Sequence, residues 1–271
     1  MFKNPRDILH YRKMGNSLDG EEGVLEYILS KLPSKDKYLV EFGAWDGIFL
    51  LNSSTFIKNQ GYSGVLIEPD DSNFEKLKVN MKNYPGIECV KKFVTTQAGN
   101  KLDDILDNTA SDIPTSFDLL IIDIDNNDYH VWSDMKKYSP KLVMIEINNT
   151  LLPTEEKVSL YDAEFVFGKH GSSIKSMTDL ASKKGYKLIA NVSCNAIYIK
   201  NEYYSLFFDK EFSIEDFYTF EGFNIKRWFL ELSLHDKFRK FQEAIRRDKV
   251  LYSLNNLSAF LHIIKNAITR R

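Results

Sequence analysis

The sequence predicts an α/β fold: a Rossmann-like, doubly wound and mostly parallel sheet, followed by a helical C-terminal segment. Short continuous apolar runs alternate with amphipathic segments, which is typical of strands buried on both faces of a parallel sheet. A glycine-bearing loop follows the first run, and a lone carboxylate, Glu68, ends the second. This layout is typical of nucleotide-binding βαβ units.

Seven apolar runs are predicted as strands. The last two are separated by only a few residues, too few for a parallel crossover, so they either pair as an antiparallel hairpin or lie apart. Six parallel strands and one antiparallel strand are the predicted result. The runs are residues 38–42, 64–68, 87–94, 117–124, 141–147, 186–192 and 196–200.

Helices are predicted between the strands from their capping signals. Ser72 and Glu75 have the spacing of a capping box, and Ser172 or Ser173 is placed to cap a later helix that ends at Gly185. Residues 1–35 are predicted as an N-terminal helical segment, 36–200 as the nucleotide-binding domain, and 201–271 as a helical, basic appendage.

Composition limits the class of protein. With 271 residues, 43% of them hydrophobic, the chain is long and apolar enough for a packed core. The net charge of −2 gives no general attraction to nucleic acid, although residues 236–271 hold nine Lys or Arg against three Asp or Glu. The two cysteines form no disulfide framework, and no apolar run is long enough for a transmembrane segment. We therefore expect a cytoplasmic protein.

The first loop favours one class of nucleotide. It reads Gly43-Ala-Trp-Asp-Gly47 and lacks the G-x-G-x-x-G pattern that lets a backbone approach a pyrophosphate. The indole of Trp45 fits poorly against a diphosphate, whereas the carboxylate of Asp46 suits a ligand with a cationic amino-acid portion. S-adenosylmethionine (SAM) is such a ligand.

Acidic and amide side chains follow the fourth and fifth runs. Asp123 and Asp125 share one face at the end of a strand, and Glu146 and Asn148 share one face at the end of the next. The repulsion between these carboxylates requires a cationic ligand, a divalent metal, raised pKa values or solvation. Asp125, Glu146 and Asn148 are the predicted ligands if a metal binds, and such oxygen ligands suit Mg²⁺ or Mn²⁺.

His130 is the only histidine within this acidic cluster and is the candidate general base. Adjacent carboxylates would raise its pKa and stabilise the imidazolium. The alternatives are that His130 is structural, or that His170 is the base. Asp123 and Asp125 are the accompanying candidate catalytic residues.

Together these motifs resemble class I SAM-dependent methyltransferases. More narrowly, they are similar to the FkbM-like methyltransferases found with bacterial surface-polysaccharide and natural-product pathways. The resemblance covers roughly residues 17–200. Its motifs are Glu41-Phe-Gly-Ala-Trp-Asp-Gly47, Glu68-Pro69, the stretch from Asp123 to Trp132, Glu146-Ile-Asn148, and the stretch from Gly171 to Ala196.

The resemblance implies a set of cofactor-binding residues. Glu68 would accept both ribose hydroxyls, Glu41 or Asp46 would meet the ammonium group, and Gly43 and Gly47 would bring the backbone against the methionine part. The implied set also includes Ala44, Asn52, Ser53, Pro69, Thr96 and Asp123.

The expected activity is O-methylation of a small polar acceptor, such as a sugar, a glycan precursor or a phosphorylated metabolite. His130 would be the base, with a divalent metal as an optional component. One alternative is a nicotinamide-dependent oxidoreductase, which Trp45 disfavours. Another is a non-catalytic assembly subunit that uses the basic C-terminal segment, which is also the expected surface for a homodimer or a peripheral contact.

Overall fold

The structure is a computed structural model that describes residues 1–13, 15–17, 19–33, 35–162 and 171–218. His170 and the basic segment 219–271, both given roles from the sequence, lie outside the described residues. The strands are β1 Tyr38–Phe42, β2 Ser63–Ile67, β3 Ile87–Val90, β4 Leu119–Ile122, β5 Leu142–Glu146, β6 Tyr186–Val192 and β7 Asn195–Lys200. The helices are α1 Glu21–Lys31, α2 Ser54–Gln60, α3 Asp71–Met81, α4 Leu102–Asp107, α5 Asp128–Asp134, α6 Ile174–Lys183, α7 Asn201–Tyr204 and α8 Ile214–Phe217, and a 3-10 helix covers Pro5–Tyr11.

The strands form one sheet in the order β3-β2-β1-β4-β5-β7-β6. β1 to β5 pair in parallel, whereas β7 is antiparallel to both β5 and β6. β6 therefore runs in the same direction as the first five strands. The predicted sheet of six parallel strands and one antiparallel strand is confirmed, and the last two strands pair as a hairpin.

The strand order reverses between β1 and β4, because the chain first builds β2 and β3 on one side of β1 and then β4 and β5 on the other. In open α/β sheets, ligands bind at such a switch point, beyond the carboxyl ends of the strands. All four residues of β4 are fully buried, as expected for a strand covered on both faces.

Aromatic packing fixes α5 against the sheet. The indole of Trp132 is fully buried and its ring centroid lies 5.8 Å from that of Tyr186 and 5.4 Å from that of Tyr198. Such pairs contribute about 0.5–1.5 kcal/mol beyond the buried area. Since α5 begins just after β4, this packing also fixes the position of the β4–α5 loop.

The capping predictions had mixed outcomes. Ser173 caps α6 by accepting the N–H of Ser176, and Gly185 follows the helix with φ +84°, both as predicted. The capping box at Ser72 is wrong, because α3 begins two residues earlier than that cap requires and its N-cap is Asp70, which accepts the N–H of Asn73 at 2.9 Å. Asp70 in turn donates its backbone N–H to Glu68.

The described part of the C-terminal segment packs on the 3-10 helix and β6. The Arg6 guanidinium donates to the carbonyl oxygens of Glu215 and Asp216 at 3.1 Å each, and the Phe208 ring contacts Phe217. Within the described residues, none of the helices has the length and apolar character needed to cross a membrane.

Candidate functional site

Gly43 brings the ends of β1 and β4 together. Its φ is +84°, and a Cβ atom there would lie 1.9 Å from the carbonyl oxygen of Asp123. Only glycine fits this approach. At Gly47, with φ +78°, a Cβ atom would lie 2.8 Å from a Leu77 methyl group of α3. Both glycines are thus required by protein contacts, and their predicted contact with a ligand stays a prediction.

Glu41 lies at the buried end of β1, with 2% of its surface exposed. Its two carboxylate oxygens accept the backbone N–H groups of Asn52 and Ser53, each at 3.0 Å. Burial raises its pKa to about 7, although these two bonds and the Ser53 hydroxyl oppose the increase. Glu41 therefore fixes the start of α2, and its predicted contact with an ammonium group stays a prediction, as do the contacts of Asn52 and Ser53.

Glu68 lies just beyond the end of β2 and is 4% exposed. Its Oε2 accepts the N–H of Trp45 and its Oε1 accepts the N–H of Asp70, both at 2.9 Å. Each carboxylate oxygen can accept a second hydrogen bond. The fixed carboxylate can therefore receive two neighbouring hydroxyls, as the ribose prediction requires. The following residue, Pro69, is exposed.

The β1–α2 loop is held in place by its own side chains. Asp46 Oδ1 accepts the N–H groups of Ile48 and Phe49 at 2.9 and 2.8 Å, and the Asn80 side chain donates to the Asp46 carbonyl at 2.8 Å. Ala44 is buried, whereas the Trp45 side chain is 42% exposed. The loop thus exposes an indole at the carboxyl edge of the sheet.

Thr96 lies in the turn that follows β3. The neighbouring Thr95 donates its N–H to Asn100 at 2.8 Å and accepts the N–H of Gln97 at 3.1 Å. Thr96 is partly buried within this turn. The structure therefore places it beyond the carboxyl end of β3, and its predicted contact with the cofactor stays a prediction.

Asp123 and Asp125 follow β4 at the switch point. Among the described residues, no hydrogen-bond donor reaches either carboxylate, and Asp125 has φ +62°. Burial and the nearby charges of Asp125 and Glu21 raise the pKa of Asp123 to about 6. Burial also raises the pKa of Asp125. These two acids are positioned by the backbone and left available to a ligand.

Asp128 has a different role. Its side chain is fully buried, and its oxygens accept the N–H groups of Ile124 and Asn126 at 3.0 Å each. Burial raises its pKa to about 7, against the effect of these bonds. Asp128 shapes the β4–α5 loop that carries Asp125.

His130 lies on α5 and faces the β5–α6 loop. Its Nε2 is 2.7 Å from the carbonyl oxygen of Ser159, and its ring contacts Tyr129 and Tyr161 with centroids 5.6 Å away. Because a carbonyl oxygen only accepts, Nε2 carries the proton and the lone pair of the neutral ring lies on Nδ1.

The same loop is joined to the β4–α5 loop by further hydrogen bonds. The Asn127 side chain donates to the Asp162 carbonyl at 2.6 Å and accepts the Asp162 N–H at 3.1 Å. The Ser159 hydroxyl donates to the Asn126 carbonyl at 2.7 Å. The loops after β4 and β5 are therefore joined to each other by hydrogen bonds.

The predicted metal ligands are Asp125, Glu146 and Asn148. Asn148 uses its side-chain oxygen within its own turn, where it accepts the N–H and the hydroxyl of Thr150 at 3.0 and 2.6 Å. Across the described part of the chain, no group of three or more His, Cys, Asp or Glu side chains is arranged to hold a metal ion. The metal-ligand roles of Asp125, Glu146 and Asn148 stay predictions, and the chemistry below is derived from the chain's own residues.

Two residues that the sequence did not single out also reach this edge. Glu21, at the start of α1, is 1% exposed, and Asn195, at the start of β7, is 5% exposed. The Asn195 side-chain nitrogen donates to Glu21 Oε1 at 3.0 Å, and Asn195 lies opposite Glu146 in the β5–β7 register. Burial and the charges of Asp123, Asp128 and Asp125 raise the pKa of Glu146 well above its ordinary value.

No protein-family model matches the sequence, and no curated protein matches it. Among solved structures, the chain is similar to the N-terminal domain of EvdMO1 with bound SAH, with 9% identity, 68% of this chain and 80% of that chain covered, and a TM-score of 0.43.

It is also similar to a precorrin-6y C5,15-methyltransferase from Geobacter metallireducens, with 12% identity, 70% and 95% covered and a TM-score of 0.40. A third similar structure is a SAM-dependent methyltransferase from Aquifex aeolicus, with 13% identity, 73% and 97% covered and a TM-score of 0.37. Since all three TM-scores are below 0.5, we base the function on the residues of the site.

Proposed function

We propose that the chain is a SAM-dependent methyltransferase that binds SAM in the crevice between β1 and β4. One observation carries the proposal: within the described residues, a fixed carboxylate with two free acceptor positions, Glu68, lies beyond β2, while Asp123 and Asp125 receive no donor beyond β4. A ribose diol fits the first, and the positive charges of a sulfonium and an ammonium group fit the second.

Different residues of the chain would bind different parts of the cofactor. When bound, SAM supplies a methyl group on a sulfonium leaving group. Glu68 and Pro69 would receive the ribose, Thr96 the adenine, and Asn52 and Ser53 the carboxylate. Glu41, Gly43, Ala44, Asp46, Gly47 and Asp123 would line the methionine part.

We further propose that the acceptor group is a hydroxyl on a small polar molecule of the sugar or phosphorylated-metabolite class, as in the FkbM-like methyltransferases. His130 Nδ1 would accept the hydroxyl proton, while the Nε2–H bond to Ser159 holds the ring and strengthens as the imidazolium forms. Asp125 and Glu146 would orient the acceptor. Alignment of two bound reactants can supply about 7–11 kcal/mol of the barrier.

The foundation is tested by calorimetric titration of the full chain with SAH and, separately, with NADH. We expect saturable binding of SAH and no binding of NADH. Absence of SAH binding at millimolar concentration would remove the proposal, and tight NADH binding would replace it with the oxidoreductase alternative.

A further inference from the structure

A group of acidic and amide side chains with two unpaired members lies on the β5–β7 side of the proposed cofactor crevice. Within the described chain no donor reaches the Asp123 carboxylate or Asn195 Oδ1, whereas Glu21 accepts the N–H of Asp19 at 2.9 Å and the amide of Asn195, and Glu146 accepts the N–H of Asp125. Four residues supply it: Glu21 from α1, Asp123 after β4, Glu146 at the end of β5 and Asn195 at the start of β7. Asn195 donates to Glu21 at 3.0 Å and lies opposite Glu146 in the register. The charge of Glu21 acts on Asp123, and that of Asp123 on Glu146. We call these four residues the acceptor cluster.

The side-chain oxygen of Asn195 is an acceptor in this cluster that receives no donor from the described chain. Its side chain is 5% exposed, and within the described chain its Oδ1 has no hydrogen-bond partner. Rotating the amide would place this oxygen against the Glu21 carboxylate, so the bond to Glu21 fixes the orientation. A buried carbonyl oxygen is thus left beside carboxylates, which are themselves acceptors when ionised.

The described residues offer this cluster no paired cation. None of the ion pairs formed between described residues involves Glu21, Asp123 or Glu146. Within the described residues, no group of three or more His, Cys, Asp or Glu side chains is arranged to hold a metal ion. A hydroxyl supplies one donor and no charge, whereas a primary ammonium supplies three donors and a positive charge. The ammonium therefore matches both the unfilled acceptors and the charge.

We propose that the acceptor cluster recognises a primary ammonium group on the methyl acceptor, so that the substrate is a small hydroxylated molecule that also carries an amine, such as an amino sugar. This inference rests on the proposed function. Glu146 and Asn195 bind the ammonium, and Glu21 holds Asn195 in the orientation required. Binding changes no covalent bond, and the methyl group still goes to a hydroxyl.

The experiment uses the full chain saturated with SAH, which fills the site of the methionine ammonium. D-glucosamine is titrated at neutral pH, where most of its amine is protonated and where the carboxylates of the cluster, whose pKa values are raised, are more ionised than in acid. N-acetyl-D-glucosamine and D-glucose are titrated alongside, with calorimetric detection. We expect glucosamine to bind at least about tenfold more tightly than both neutral sugars, because charge-assisted hydrogen bonds are roughly twice as strong as neutral ones.

Two variants test which residues produce the preference for glucosamine. Glu146→Gln keeps the side-chain shape and removes the charge, and Asn195→Ser removes the unpaired oxygen. Each is expected to reduce the preference for glucosamine to less than about threefold. Glu75→Gln, on the exposed surface of α3, is the control and should retain the full preference. SAH affinity, measured on each variant, reports whether the cofactor site remains formed.

Equal binding of the three sugars, or no binding of glucosamine, would overturn the inference. A preference that persists in both Glu146→Gln and Asn195→Ser, with SAH bound, would overturn it as well. Failure of SAH to bind the wild-type chain is a separate result, which would remove the proposed function itself.

Discussion

Two aspartates five residues apart show how backbone contacts decide the role of a charge. Asp128 receives two backbone N–H groups, so its charge is used to fold the loop after β4. Asp123 receives no donor from the described residues and faces other carboxylates, so its charge is left for a ligand. Sequence alone shows three aspartates within six residues and does not distinguish the two roles.

Glu68 is the residue on which cofactor binding depends most directly. Glu68→Gln keeps the shape and removes both the charge and one acceptor oxygen. Because hydrogen bonds to a charged group contribute about 1.5–3 kcal/mol, we expect about 10- to 100-fold weaker SAM binding by calorimetry. Glu75→Gln is the matched control. Unchanged affinity in Glu68→Gln would show that the ribose is held elsewhere.

Asp123 predicts a dependence of stability on pH. Its pKa is about 6 in the folded chain, above the ordinary value of 3.8, so between these values the folded state binds more protons than the unfolded state. The free energy of unfolding should therefore fall as pH rises from about 4 to 6. Asp123→Asn, which resembles the neutral acid, should flatten this slope and stabilise the protein by about 3 kcal/mol above pH 6.

Urea denaturation at several pH values measures the slope, and SAM titration of the same variant measures the function. We expect Asp123→Asn to be more stable and to bind SAM more weakly, which is typical of a charge retained for a ligand. A variant that is destabilised at neutral pH would contradict the assignment.

His130 is expected to act as the base through Nδ1. Once an acceptor is identified, His130→Ala should lower kcat by about 10²- to 10⁴-fold and remove the acidic limb of the pH–rate profile. Tyr161→Phe, which keeps the ring beside the histidine, is the control. If His130→Ala changes KM but leaves kcat and the pH profile intact, the histidine only supports the loop through Ser159.

At the scale of elements, continuous apolar runs predicted every strand of the sheet, because strands covered on both faces must be apolar throughout. β1 and β6 have the predicted bounds. β3 is shorter than predicted and ends at Val90, before the exposed Lys91 and Lys92. As an edge strand with a single neighbour, β3 has pairing on one side only.

The site was predictable where it depends on strand ends and not where it depends on long-range packing. Glu68, Asp123 and Glu146 follow from the rule that carboxyl ends of parallel strands share one edge. The pairing of Glu21 with Asn195 joins residues 174 positions apart, and an acid in the first turn of a helix is ordinary in sequence. Only the contact with Asn195 in the folded chain distinguishes Glu21 from other acids at helix starts.

The start of α2 depends on Glu41, since its carboxylate satisfies two buried N–H groups. Glu41→Ala leaves both without a partner, and each buried unsatisfied group costs about 1–3 kcal/mol. We therefore expect about 2–5 kcal/mol lower stability in urea denaturation, whereas the exposed Glu75→Ala should change it by less than about 0.5 kcal/mol. A loss below 1 kcal/mol would contradict this role.

At the scale of the whole molecule, the sheet separates two edges with different character. At the carboxyl edge lie Gly43, which brings β1 and β4 together, the acids after β4, and the connected loops after β4 and β5. A cavity lies away from that edge, beside α1 and α2, and is lined by Tyr11, Lys13, Tyr27, Gln60 and Tyr62. A ligand bound at the carboxyl edge and a ligand bound in this cavity would protect different parts of the backbone from hydrogen exchange.

Hydrogen exchange with and without SAH distinguishes them. A ligand at 100 times its Kd stabilises the bound state by about 2.7 kcal/mol, which slows exchange that requires release of the ligand by about 100-fold. We expect this protection at residues 43–53, 68–70 and 123–128, whose N–H groups form or flank the crevice, and little change at residues 11–13 and 26–31. Protection confined to the latter ranges would place the nucleoside in the cavity beside α1, and the switch point of the sheet would lose its role as the cofactor site.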